Sequence, residues 1–506
     1  MRQPFGPALA VLLSVAALPS IGEDGRLLGA QSAPARADAE IQLQLARLLF
    51  ADGRYQDAVQ AFRRVPAHPH DPLSITARSG LVTSLLRVGE FRNAFDEAEA
   101  FALAEPRSAD ALSAYGDALW ALGRFDRSAS AMRDALALDP ASSRARHGQA
   151  RVLAAQSRLD AALPEAQAAL RGAPSEAEYQ YTLGALYQRM NAFDAAAVAF
   201  ENYVNLLPNR DRSERAAWAR AQVRFLRAFE GRAPLALASA APVHTVPFRL
   251  VRDKVVVKGR VNGGGQTDFV LDTGAEMTIV SQRLAQRAGV TPVAYVRSAG
   301  VGEAGLRALQ VGIMESLQIG TLRITNVPVL IKNPPLAGMP TRETEAFSPL
   351  ALGMSMTIDY RLQRLTFGAS LPRPAGAQDL PLWLHRLAMV QGVVNGAHAN
   401  FVVDTGGEVI SISQTTAGDL DPAPPGRRIA LKVYGTSGWD RDAFLLPNVD
   451  LSFDHLRMPR TAVVVLNLDA PSALLGFQLG GIVGHRFLSK YTVTIDLERS
   501  TLALSD

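Results

Sequence analysis

The sequence predicts two fold classes in succession: an all-α repeat solenoid, then an all-β unit built of two lobes. Three observations carry this. Gly-x-aromatic turns and their variants recur between residues 53 and 193 at steps of 36, 34, 34 and 34 residues. Beyond residue 246 the apolar pattern changes from helical to alternating. Within that second part, Asn-Gly followed by Phe-Val-x-Asp-Thr-Gly occurs twice, at 262–274 and 395–406.

At 506 residues the chain is long for one domain, and about 150 residues per domain suggests about three. Hydrophobic content of 48% and charged content of 20% describe a globular protein with ample core. The basic residues are almost all arginine, and the net charge of +4 is mild for this length. No dense Lys/Arg run occurs, so nucleic acid is not an expected partner. The absence of cysteine excludes disulfides, thiolate metal sites, a cysteine nucleophile and a lipid-modified cysteine.

Residues 1–37 read as a secretory signal peptide: Arg2, an apolar run from Pro7 to Ile21, and Ala35-Arg36-Ala37 as the cleavage site. The alternative is an uncleaved anchor, but the run falls short of the roughly 20 residues of a spanning helix. The expected location is therefore the periplasm or the exterior, with no membrane span once the signal is removed.

Residues 38–231 carry about five helical repeats. Turns at Gly53-Arg54-Tyr55, Gly89-Glu90-Phe91 and Gly123-Arg124-Phe125 are followed by degenerate ones at Ser157 and Asn191. Prolines end the second helices at Pro106, Pro140, Pro174 and Pro208, and alanines recur five residues after most turns (Ala58, Ala94, Ala162, Ala196). Small residues at Ala46, Gly116, Ala150 and Gly184 let paired helices approach. Departures stand at Val82, Ser128 and His70. This pattern resembles the tetratricopeptide repeat, which implies a curved solenoid with Ser213–Phe229 as its capping helix. The resemblance implies a concave groove for a peptide or protein partner; a plain spacer or dimerisation arm is the alternative.

Residues 232–246, rich in Ala and Pro, read as a linker. Two related all-β units follow, 247–370 and 381–506, joined by a Pro/Gly-rich linker at 371–380. Asn262-Gly263 and Asn395-Gly396 between apolar runs are hairpin signals. Near its end each unit carries an apolar-apolar-Gly triplet, Ala351-Leu352-Gly353 and Ile482-Val483-Gly484. The second has room for a short helix (His485–Lys490) before its next strand, and the first does not.

The two units resemble the lobes of the retropepsin-like aspartic proteases, arranged in one chain as in pepsin. The resemblance implies an all-β bilobal fold of double-psi type, with Asp272 and Asp404 as the paired acids. It assigns Thr273, Gly274, Ala275, Thr405, Gly406 and Gly407 as their scaffold, with Thr278 matching further on. The chemistry needs such a pair: two close carboxyls cannot both ionise, so one activates water while the other protonates the carbonyl oxygen. No metal or cofactor is called for. Pepsin-type sites carry a hydroxyl where this chain has Ala275 and Gly407, and losing that bond predicts a pH optimum nearer about 5–6 than 2–3.

Glu276 and Glu408 stand where viral retropepsins hold the substrate backbone, or else are structural acids paired with arginine. Hairpins that close over substrate are expected at Ser298–Gly305, with Gly302 at its tip, and at Tyr434–Trp439, with Tyr434, Gly435 and Thr436 as substrate contacts. Gly300-Val301-Gly302-Glu303-Ala304-Gly305 matches a dinucleotide fingerprint literally, but no βαβ context surrounds it. His68 and His70 lack further ligands for a metal site. The expected function is an exported aspartic endopeptidase acting on polypeptides, its repeats recruiting substrate or a partner protein. The alternatives are a non-catalytic periplasmic adaptor and a dyad completed between chains.

Overall fold

The computed structural model of the chain describes residues 33–239, 241–302, 306–332, 345–421, 426–435 and 437–506. The expected signal segment lies outside these up to residue 32; its last five residues, Ala33 to Ala37, begin the first helix.

Helices pair into five repeats. The first helices are Ala33–Ala51, Pro72–Val88, Ala109–Ala121, Ser143–Ala155 and Ala177–Arg189. The second helices are Tyr55–Arg63, Phe91–Ala104, Phe125–Leu138, Leu159–Gly172 and Phe193–Leu206, and Glu214–Arg227 closes the stack. Local chemistry sets these limits. The carboxylate of Asp71 and the hydroxyls of Ser108, Ser142 and Ser213 each accept the N–H three residues on, capping four helix starts. All five turns place one residue in the left-handed region: Gly53 (φ 76°), Gly89 (82°), Gly123 (69°), Ser157 (56°) and Asn191 (59°). The degenerate turns thus keep the glycine geometry without glycine, as short polar residues can.

The alanines that follow the turns are fully buried between helices. Where Ser128 replaces one, its buried hydroxyl donates to the Gly116 carbonyl at 2.7 Å, so the helices stay close and the hydroxyl is satisfied.

The linker is not free chain. Ala236–Leu237 pairs with Thr325 and Ile324, and Val243–Pro247 pairs along Arg364–Gly368. His244 and Val246 alternate inward while their neighbours face out. An extended segment without helical pattern can add to an open sheet edge in this way, and Pro247 is tolerated there because an edge strand need not donate on both sides.

The two lobes repeat one plan. Lys254–Val261 turns through Asn262 (φ 49°) and Gly263 (φ 70°) to reach Thr267–Leu271. Leu387–Val394 turns through Asn395 (φ 45°) and Gly396 (φ 86°) to reach Ala397–Val403. The strand before each Asp then lies parallel to a short strand from the end of its lobe, Glu345–Phe347 or Gly481–Val483. The lobes join through one antiparallel sheet in which Thr357 pairs with Thr494, their hydroxyls 2.8 Å apart. One apolar core runs through both lobes, from Val255 and Phe269 to Phe401 and Leu504. At the base, the second lobe has the short helix His485–Leu488, and the first has only the turn Leu350–Leu352.

The solenoid packs on both lobes. Trp120 and Phe125 insert beside Trp383 and Phe477 of the second lobe, Phe125 lying 5.2 Å from Phe477 between ring centres. Gln391 donates to the Gly123 carbonyl at 2.7 Å, and Gln478 N–H to the Ala121 carbonyl at 2.8 Å. At its other end Phe225 and Phe229 meet Ala294 and Val311 of the first lobe, beside the Arg297–Glu214 ion pair. Among the described residues no helix is long and apolar enough to cross a membrane.

Candidate active site

Each Asp-Thr-Gly loop is held by its own lobe. Asp272 N–H donates to the Phe347 carbonyl and Asp404 N–H to the Val483 carbonyl, both at 3.0 Å. Thr273 and Thr405 then tie the loops together. Thr273 Oγ1 donates to the Val403 carbonyl at 2.6 Å and accepts Thr405 N–H at 3.0 Å; Thr405 Oγ1 donates to the Leu271 carbonyl at 2.8 Å and accepts Thr273 N–H at 3.1 Å. Both threonines are buried, so the four bonds are shielded from water.

This brings the carboxyls of Asp272 and Asp404 within hydrogen-bonding reach of each other. Gly274 N–H donates to Asp272 Oδ1 at 3.0 Å, and Gly406 N–H to Asp404 Oδ1 at 2.7 Å. A Cβ on Gly406 would lie 2.6 Å from Asp272 Oδ1, and one on Gly274 would lie 2.7 Å from Asp404 Cγ. The glycines are therefore required by the close approach of the two acids.

Burial pushes the Asp272 carboxyl up to about 7, helped by the Asp404 carboxyl and opposed by Gly274 N–H and the Lys254 ammonium. Burial also raises Asp404, against the N–H groups of Gly407 and Gly406 and the Lys254 ammonium. Two carboxyls so placed share a proton near neutral pH.

Sequence comparison reaches the same residues. A sequence model of the aspartyl protease family matches residues 257–356 and 390–481, and a tetratricopeptide-repeat model matches 25–72 and 80–143. The chain carries an aspartyl protease domain in two repeats, preceded by tetratricopeptide repeats. No curated protein matches the chain. Among solved structures, a thermophilic tetratricopeptide-repeat protein of Thermus thermophilus shares 23% identity over 36% of this chain and 98% of its own, with a TM-score of 0.30. MamA from Desulfovibrio magneticus shares 17% over 35% and 97%, with a TM-score of 0.23.

In the protease domain Ala275 is buried and, like Gly407, offers the acids no hydroxyl. Glu276 is engaged: the Arg386 guanidinium reaches its Oε2 from both Nε and Nη2, each at 2.9 Å. This is the arginine pairing that the sequence left open as its structural role. Glu408 is exposed.

The two expected hairpins meet each other. Ser437 N–H donates to the Val301 carbonyl at 2.9 Å, and Gly300 N–H to Ser437 Oγ at 3.1 Å. Gly302 has φ 131° and packs against the backbone of Ser437 and Gly438; Gly435 packs against Val301. Tyr434 is exposed and stacks edge-on against Trp439 at 5.2 Å. Thr436 and residues 303–305 lie outside the described residues. His70 bonds Glu105 through Nδ1 at 2.8 Å.

Two cations went unnoticed in the sequence. Lys254, at the start of the first lobe's hairpin, donates to the Gly406 carbonyl in the second lobe's Asp loop. Arg386, at the start of the corresponding hairpin in the second lobe, reaches Glu276 beside the first lobe's loop. The duplicated hairpins thus exchange cations across the lobe boundary. Aligning the two Asn-Gly turns matches Lys254 with Leu387 and leaves Arg386 one residue earlier, in the turn before its strand.

Proposed function

We propose that the chain is an exported aspartic endopeptidase whose repeats recruit its polypeptide substrate. The observation that carries this is the pair Asp272 and Asp404, in mutual reach and held by the threonine exchange. Asp404 has the shorter N–H contact, 2.7 Å against 3.0 Å, which favours it as the ionised member and general base. Asp272 then holds the shared proton and acts as general acid. A water between them loses a proton to Asp404 as its oxygen attacks the carbonyl carbon, and Asp272 protonates the carbonyl oxygen. Breaking the C–N bond of the resulting diol, with a proton passing to nitrogen, releases both products and restores the pair.

The test is cleavage of a denatured protein by the purified chain on the acid side of the value of about 7 to which Asp272 is raised, where the pair holds a proton. Asp272→Asn and Asp404→Asn should each abolish it, as should a hydroxyl-bearing mimic of the tetrahedral diol. Cleavage unchanged by either substitution refutes the reading, and the repeats then become the working part of a non-catalytic adaptor. Export is tested separately by cell fractionation and N-terminal sequencing of the recovered protein.

A further inference from the structure

A chamber of about 1540 Å³ lies inside the curve of the solenoid. Its walls are chiefly the first helices of the repeats with the closing helix Glu214–Arg227, and the second lobe's helix Asp469–Leu475 and His385-Arg386 at the hairpin start bound its other side. Its interior charges are uneven. Asp117 is held by Arg144 at 2.6 Å and by Arg151. Glu178 is held by Arg87 and by Arg215, the latter at 2.8 Å. Each acid therefore faces two guanidinium groups. Burial works to raise both acids, and the arginines more than reverse it.

Arg189 adds a further charge with no acid paired to it among the described residues. Its Nη1 donates to the main-chain carbonyls of Ala154 (2.6 Å) and Leu384 (3.2 Å), and burial alone pulls its pKa down to about 10. A half-buried guanidinium satisfied only by carbonyls retains an uncompensated charge. Other acids on the wall, such as Asp110, Asp139, Glu176 and Asp469, are exposed and screened by water.

Arg386 joins this chamber to the protease cleft. It lines the chamber, bonds the Leu474 carbonyl at 3.3 Å, and pairs with Glu276, four residues past Asp272. Four residues of chain reach at most about 14 Å, so the pair lies within that distance of Asp272. Building on the proteolytic reading, we propose that the chamber is a distal subsite of the cleft. It binds an acidic stretch of the polypeptide substrate starting within about four residues of the scissile bond. Tyr179, Tyr181 and Trp218 on its wall supply faces for the peptide's apolar atoms.

The test separates binding from cleavage. The full chain carrying Asp272→Asn and Asp404→Asn is titrated with a fluorescein-labelled decapeptide containing four glutamates, and with its glutamine counterpart. The acidic peptide should bind about tenfold tighter at low salt, the margin shrinking as salt rises. Arg189→Gln should remove most of the margin and Arg189→Lys should keep it; if Arg189→Gln does not fold, Arg215→Gln takes its place. Equal affinity for the two peptides, or no saturable binding of either, overturns the subsite. With the active chain, mapped cut sites in a peptide mixture should show Asp or Glu enriched within a few residues to one side of the cut. Cleavage without that enrichment refutes the subsite and leaves the protease standing. Acid-selective binding without any cleavage refutes the protease and leaves the chamber an acidic-peptide site.

Discussion

Thr273 and Thr405 satisfy each other across the lobe boundary, each accepting the other's N–H and donating to the carbonyl two residues before its partner. The dyad's geometry depends on this exchange, because nothing covalent joins the two loops. Thr405→Val strands the Leu271 carbonyl and the Thr273 N–H in a buried place. It should cost about 2–4 kcal/mol in denaturant unfolding and lower kcat/KM by at least tenfold. Thr405→Ser keeps the hydroxyl and should recover most of both. A valine variant of full activity would show that the lobes hold the dyad unaided.

The raised Asp272 makes a prediction about stability. Its folded pKa lies above the unfolded value of 3.8, so the folded chain binds more protons between those two values. Stability therefore falls as pH rises through that window, the reverse of the usual salt-bridged aspartate. Asp272→Asn removes the penalty. It should raise the melting midpoint at pH about 8 by a few degrees and leave it unmoved near pH 3.5. Equal midpoints at both pH values would mean that the carboxyl is not desolvated.

Lys254 should appear in the pH–rate profile. Its ammonium favours the ionised dyad, with Asp253 and His485 as the other titratable groups near it. Lys254→Met should shift both limbs of the bell upward by about 0.5–1 unit from an optimum of about 5–6. Lys254→Arg preserves the charge and should leave the limbs nearly in place. If the methionine variant lowers kcat without moving either limb, Lys254 shapes the Gly406 loop but does not set the protonation of the acids.

How far the sequence could be read follows from where each constraint acts. Asp272-Thr273-Gly274 and its copy were legible because the chemistry at each position tolerates one residue type. The repeat turns were legible even at Ser157 and Asn191, because the 34-residue spacing carried them after the glycine had gone. Lys254 and Arg386 were not legible, since each acts on a loop more than 100 residues away and looks like an ordinary strand start in its own surroundings. The strands inside the linker were equally hidden: Val243–Pro247 is extended because Arg364–Gly368 offers it an edge, and local propensity does not encode that. The chamber depends on the curvature of the whole solenoid, which no single repeat specifies.

The docking of solenoid on protease domain includes one tight approach, and its share can be tested by adding a methyl group. A Cβ on Gly123 would lie 1.6 Å from Asn400 Nδ2. Asn400 cannot swing aside, because it is buried and its amide already donates to the Gln478 carbonyl at 2.8 Å and accepts Gly480 N–H at 3.2 Å. Gly123→Ala must therefore push the third repeat's turn away and open the contact of Trp120 and Phe125 with Trp383. Gly89 is the matched control: its φ of 82° carries the same left-handed penalty, but a Cβ there meets nothing within 4 Å. Gly89→Ala should cost about 1 kcal/mol and leave the domains docked. Gly123→Ala should cost more, shift the tryptophan emission to the red, and speed tryptic cutting at Arg232 in the linker. If the two variants are cut at the same rate, the Gly123 contact does not hold the solenoid in place, and the Phe225 and Phe229 end must do so instead.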